Sequence, residues 1–297
     1  MSLVIQGPTG AGLVLRKDFT WNETVWNPSM IQTALWLDAA DASTITAVSG
    51  GVSQWNDKSG GGINFTQSNS ALRPTTNSQT LNGLNVVSFD GVDDNMNAGD
   101  ALDNVWTAVG GGFNLFYVAR NRNITSNNGS ILAKLSNSPL NLRQFASTLR
   151  TSVSQLVTVY TPDVFNYTVV NGSTTIASNQ WVTISQAYSD TGSGSANTTS
   201  RVSITVDGSV ESLSVLVAAG QLSTIQNTTG SLSIGAIIGN GTQNSNNLPG
   251  EIAEIIVLPV VASTTDRQKM EGYLAHKWGL TANLPADHPY KTVGPTP

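Results

Sequence analysis

Short apolar runs recur along most of the chain, and nearly all of them close on Gly, Asn, Asp or Ser. Residues 34–37, 52–55, 86–89 and 115–119 follow one another at a spacing that predicts an all-β sandwich. Val202, Ile204 and Val206 alternate with Ser203 and Thr205, and Asp207-Gly208 then turns the chain toward Val210 and Leu213, the pattern of a hairpin with one buried face. Val157-Thr158-Val159-Tyr160 and Trp181-Val182-Thr183-Ile184 alternate likewise. Residues 252–258 are nearly continuous in apolar side chains, as in a strand covered on both faces, with Glu254 the exception. One helix follows: Ser263 or Thr264 as N-cap, Asp266 in the first turn, Met270, Tyr273, Leu274 and Trp278 on one stripe, and Gly279 as the stop. The tail through Pro285, Pro289 and Pro295 reads as extended.

Two segments modify this picture. Between Val87 and Met96 the apolar residues enter a turn crowded with carboxylates, Asp90-Gly91-Val92-Asp93-Asp94. Asp-Gly with apolar neighbours predicts a hairpin turn that sets strand register, with Phe89 in the core. The three aspartates also offer calcium ligands, but a calcium loop takes more oxygens at regular alternation than this run supplies. The turn is the preferred reading of Asp90, Asp93 and Asp94, and calcium the alternative. The other segment is residues 1–30, where Leu3, Val4 and Ile5 precede a Gly-rich joint and Trp21 and Trp26 sit in a polar stretch. It reads as an arm outside a domain of residues 31–297, suited to strand addition or packing on a neighbour. The Gly-rich joint lacks the Gly-Lys-Ser/Thr ending of a phosphate loop.

Composition narrows the partners. Of 297 residues 39% are apolar, enough for a core, and only 11% are charged, so solubility falls to Asn, Ser, Thr and Gly. A net charge of -5 and a pI near 4.9 leave no basic stripe for phosphates, which argues against nucleic acid and anionic membranes. No apolar run approaches the ~20 residues of a membrane span, and Met1-Ser2-Leu3-Val4-Ile5-Gln6 has no basic start, so neither a transmembrane segment nor a signal peptide is expected. Without cysteine there are no disulfides or thiolate metal sites. His276 is expected on a solvated helix face and His288 in the tail; no histidine pair stands at zinc spacing.

Leu35-Trp36-Leu37-Asp38-Ala39-Ala40-Asp41, Trp55-Asn56-Asp57-Lys58-Ser59-Gly60, Leu81-Asn82-Gly83 leading into residues 86–94, and Gly250-Glu251-Ile252-Ala253-Glu254 before the helix occur in an order that resembles the laminin-G-like, concanavalin A-like jelly-roll domains. The resemblance covers about residues 31–290. It implies a two-sheet antiparallel jelly roll, in a superfamily that includes lectins, glycoside hydrolases, adhesion modules and tailed-phage virion proteins. The helix with the Leu-Pro-x-x-His-Pro-Tyr ending at residues 284–290 resembles domains of phage and bacterial surface proteins. On that resemblance the expectation is a non-enzymatic structural protein on a tailed-phage virion, made in the host cytoplasm, held to other virion proteins by the arm and forming a homo-oligomer. The alternative is an adhesin or receptor-binding module that recognises a host glycan.

Candidate chemistry is sparse. The glucanase branch of these folds uses carboxylates in a Glu-x-Asp-x-x-Glu run, whereas Glu251 and Glu254 are three apart and should face opposite sides of a strand. No catalytic residue is therefore assigned. Glu254 is read either as a hydrogen-bond acceptor for a sugar or as a buried carboxylate with a local partner, the latter preferred. Trp55, Trp106 and Trp181 are candidates for stacking on a sugar ring, with Trp106 the one expected at the surface. Asp38, Asp41 and Asp57-Lys58-Ser59-Gly60 look like turn and cap chemistry.

Overall fold

The computed structural model describes residues 25–106, 111–122, 129–135, 143–150, 156–160, 167–189, 201–219, 227–239 and 242–297. Its strands form two facing layers, a β-sandwich of jelly-roll type, as the short runs predict. The first layer contains β1 (Leu35–Asp38), β5 (Thr75–Leu81), β6 (Leu84–Asp90), β8 (Gly112–Asn121), β13 (Val182–Ser189), β14 (Val202–Val206), β15 (Ser209–Val210) and β20 (Pro249–Leu258). The second contains β2 (Ile45–Val48), β3 (Gly51–Trp55), β4 (Phe65–Thr66), β7 (Met96–Asn97), β9 (Gly129–Leu135), β10 (Arg143–Leu149), β11 (Leu156–Tyr160), β12 (Tyr167–Asn171), β16 (Ser214–Ala219) and β17 (Ser231–Ile234). A hairpin of β18 (Ile237–Gly239) and β19 (Thr242–Ser245), a short helix α1 (Asp103–Trp106) and the long helix α2 (Thr264–Trp278) complete the described elements. Among the described residues no helix is long and apolar enough to cross a membrane.

Strand β20 is the hub of the first layer. It pairs with β8 along one edge, and β1 and β6 share the other. Between the layers, Leu37, Tyr117 and Ile255 meet Trp55, Phe145 and Leu232. The outer face of the same layer carries a second core, where Phe116, Val118 and Ile256 are covered by Met270, Leu274 and Trp278 of α2. This explains the continuous apolar run in β20: one face fills the sandwich, and the other seats the helix.

Helix α2 has the predicted ends. Ser263 accepts a hydrogen bond from the Asp266 N–H at 3.1 Å, and Gly279 closes it in the left-handed region at φ 72°. Asp207-Gly208 is likewise the predicted hairpin, with φ of 49° and 82° and Val206 paired to Ser209.

Three expectations are corrected. Asp90-Gly91 is not a hairpin, because β6 pairs with β5 and β20 while β7 pairs with β4 and β17. The chain crosses from one layer to the other there, and Asp90 holds the crossing by accepting from the N–H groups of Val92, Asp93 and Asp94 at 2.7, 3.1 and 3.3 Å. The C-terminal tail is not extended; it turns at Pro285 and His288 and packs on α2. Trp26, assigned to the arm, is 2% exposed and meets Tyr273 edge-on at 6.1 Å, so its indole belongs to the outer core.

The glutamates require a fourth correction. The register of β20 against β8 shifts between Ile252, opposite Ala119, and Glu254, opposite Val118. That bulge at Ala253 adds a residue to one strand and reverses the facing. Glu251, opposite Arg120, and Glu254 therefore share the outer face instead of lying on opposite ones.

Gly235 joins the fold's close approaches. Its φ is 80°, and a Cβ there would enter the ring of Phe89 in the sandwich core. Gly235→Ala is expected to cost about 2–4 kcal/mol from strain and overpacking together, read as a lower urea midpoint at unchanged m-value.

Candidate functional site

On the outer face of β20 Glu254 sits among apolar residues of the second core, and the fold surrounds that carboxylate with donors. Its Oε1 accepts from Trp36 Nε1 at 2.7 Å and from the Tyr273 hydroxyl at 3.0 Å. Its Oε2 accepts from Lys277 Nζ at 2.8 Å and from Trp278 Nε1 at 2.7 Å. The helical spacing of Tyr273, Lys277 and Trp278 brings all three to the sheet-facing side of α2, while β1 supplies Trp36. Burial pushes the Glu254 carboxyl above its ordinary range; Lys277 opposes the shift and Asp38 adds to it.

From this buried centre the charges run outward. Lys277 also contacts Asp38 Oδ1 at 2.7 Å, and Asp38 Oδ2 takes Lys58 Nζ at 2.9 Å. Lys58 then reaches Asp41 Oδ2, again at 2.9 Å, and lies 4.4 Å from the centroid of the Trp36 ring. Burial works against the charge on Lys58, but Asp38 and Asp41 outweigh it and raise the pKa. Burial also works against a charged Asp41, yet the bonds from Ser43 and Lys58 leave its pKa lowered.

This chain of charges forms one wall of a cleft of ≈ 670 Å³. Trp36 and Tyr273 border it but are only 7% and 4% exposed, and Asn27, Ser29, Asp41 and Ser43 give it polar groups. Two carboxylates, Asp38 and Asp41, balance two ammonium groups, Lys58 and Lys277, in its lining. Such a site offers paired donors and acceptors with little net field.

The residues singled out from sequence are dispersed. Trp55 is 0% exposed within the sandwich and presents no face to a ligand, which corrects its stacking assignment. Glu254 is also 0% exposed with four donors in place, so it is the locally partnered carboxylate and not an open sugar acceptor. Trp106 closes α1, and its side chain lies outside the described residues, as do Leu3, Val4, Ile5 and Trp21. Trp181 is partly covered by Arg120, whose guanidinium carbon is 5.0 Å from its ring centroid. His276 meets the carbonyl of Tyr290 at 2.9 Å, and His288 is buried 3.3 Å from Glu271.

Asp90, Asp93 and Asp94 do converge, with ligand atoms within 4.8 Å of one another, and could hold a cation. Asp90 Oδ1 is shared with three backbone amides, so the run serves as a turn device as well. Burial, with the charges of Asp90 and Asp93, raises Asp94 to about 7 against the pull of the Asp90 N–H. Sequence reasoning missed the joining of Asp38, Lys58, Lys277 and Tyr273. The available signal was Glu254 itself, since a carboxylate on a doubly covered strand requires a cation, and Lys277 sits beside Trp278 on the buried stripe.

No family model matches the chain, and no curated protein matches it. Among solved structures, the botulinum neurotoxin serotype C1 binding domain aligns with a TM-score of 0.53 at 14% identity over 82% of this chain and 52% of that one. The serotype D/C VPI 5993 binding domain gives 0.53 at 13% identity over 82% and 52%. Trypanosoma rangeli sialidase in complex with sialic acid gives 0.51 at 10% identity over 83% and 33%. The chain thus spans about half of the toxin domains and a third of the sialidase, and the likeness is one of fold.

Two outcomes follow from the electrostatics. Lys277→Met would leave Glu254 and Asp38 facing each other without their shared cation, and should cost about 3–5 kcal/mol in chemical denaturation. Asp94, raised from 3.8 to about 7, and Asp207, raised to about 6 by burial, both bind protons more tightly when folded. Stability should therefore fall as pH rises from about 4 to about 7. Asp94→Asn retains an acceptor for the Asp90 N–H without the charge, so its urea midpoint should fall less across that window and exceed the parent's above it.

Proposed function

We propose that the chain is a carbohydrate-binding β-sandwich module whose ligand enters the cleft between the β1–β2 connection, Lys58 and α2. The observation that carries this reading is the lining: a charge-balanced set of fixed donors and acceptors beside the largely buried rings of Trp36 and Tyr273. A sugar hydroxyl both donates and accepts, so it can bridge Asp41 and Lys58, whereas an ion of either sign would meet a like charge. The fold likeness to toxin binding domains and to a sialidase holding sialic acid is compatible with this use.

A catalytic role for the two β20 glutamates has no support from the geometry. Glu251 lies against Arg120 and Arg122, and Glu254 is enclosed by its donors. Both are 0% exposed. Virion display through the N-terminal arm is a separate expectation, carried by the sequence resemblance alone, and a lectin-like module is compatible with it.

A glycan array followed by calorimetry tests the reading. A neutral glycan is expected to bind at micromolar to millimolar affinity, and the Asp41→Ala, Lys58→Ala double variant should weaken it at least about tenfold, equivalent to ~1.4 kcal/mol. Val210→Ala, on the exposed end of β15, should bind as the parent does. Absence of binding to every glycan, or binding indifferent to the double variant, overturns the proposal.

A further inference from the structure

We propose that Lys277 and Asp38 are the two halves of an intramolecular amide cross-link, formed by the protein itself with Glu254 as the proton carrier. The geometry carries it. Lys277 Nζ lies 2.7 Å from Asp38 Oδ1 and 2.8 Å from Glu254 Oε2. The side chains of Lys277, Asp38 and Glu254 are 4%, 6% and 0% exposed. An amine, a carboxyl group and a second carboxyl group are thus held in contact, with water largely excluded.

Such a triad has both a route and a driving force. Holding the reactants together replaces a bimolecular encounter with an intramolecular one, worth many orders of magnitude in rate. Two buried charges are costly to desolvate, and joining them as a neutral amide removes both. Glu254 is fixed for its task by Trp36, Tyr273 and Trp278, whose hydrogen bonds leave its Oε2 against Lys277. Lys58 differs from Lys277 in being 23% exposed and shared between Asp38 and Asp41, so it serves as the cation that polarises the Asp38 carboxyl through Oδ2.

The step balances without any outside reagent. Glu254 takes one proton from the Lys277 ammonium, and the freed lone pair of Nζ attacks Cγ of Asp38, forming the C–N bond. The tetrahedral centre collapses as one Asp38 C–O bond breaks. The departing oxygen leaves as water, carrying the proton returned by Glu254 and a second proton lost from nitrogen. Ammonium plus carboxylate has become amide plus water, with no oxidation or reduction.

The product ties β1, near the start of the described fold, to α2, near its end. It would restrict the unfolded chain as a disulfide does, in a sequence with no cysteine. Amide formation removes one charge of each sign from the cleft lining, so the balance there is kept, with Asp41, Ser43 and Lys58 left in place.

Mass spectrometry of the denatured full chain tests the inference. The parent should be lighter than its sequence by one water, and digestion should yield a branched peptide joining Asp38 to Lys277. Lys277→Arg, which keeps the cation but not the reactive amine, should have its full sequence mass. Glu254→Gln should remain uncross-linked while staying folded by circular dichroism. Asp38→Asn should still cross-link, now with loss of ammonia, which guards against a failure of Lys277→Arg to fold. A parent of full sequence mass overturns the proposal, as does a water loss that maps to the Asp38 backbone without Lys277. Cross-linking undiminished in Glu254→Gln overturns the role given to Glu254.

Discussion

The carboxylate of Glu254 governs how the outer half of this protein is built. A charge placed on a strand that is covered on both faces is tolerable only if every lone pair finds a donor. The fold supplies four, one from β1 and three from α2. That requirement fixes the rotation of α2 on the sheet more sharply than its apolar stripe could, since Met270 and Leu274 would tolerate sliding whereas two indole N–H groups and an ammonium would not.

The bulge at Ala253 is part of the same arrangement. Without it, alternation along β20 would turn Glu254 toward the sandwich interior, among Leu37 and Tyr117. With it, Glu251 and Glu254 share the outer face but enter separate partnerships, one with Arg120 and Arg122 and the other with α2 and Trp36. Both acids are 0% exposed. The polar groups in contact with water lie at the rim instead: Asp41, Ser43 and Lys58.

Much of this architecture was legible in the sequence, because strands and helix caps are local signals. The alternation in β14, the Asp207-Gly208 turn and the Ser263 and Gly279 caps each follow from neighbouring residues. The Asp90-Gly91 segment misled for the same reason: the dipeptide marks a turn, but whether its flanking strands pair is a tertiary matter, and here they join different layers. The bulge was invisible because Ala253 fits either strand face equally well. Asp38, Asp41 and Lys58 were read as turn chemistry, and Asp41 does cap Ser43 at 3.1 Å. Their convergence with Lys277 depends on where the helix lands, which no spacing along the chain encodes.

The charge chain from Glu254 to Asp41 divides by depth into two physical regimes. At its inner end, burial makes separated charges costly and favours arrangements that neutralise them. At its outer end, Lys58 and Asp41 keep contact with water, where an ion pair is weak and readily rearranged. A ligand hydroxyl could therefore enter the outer pair at small cost, while the inner group stays locked and holds the helix that forms the wall. The recognition proposed for the rim and the rigidity of the centre would thus come from a single line of residues, graded by exposure.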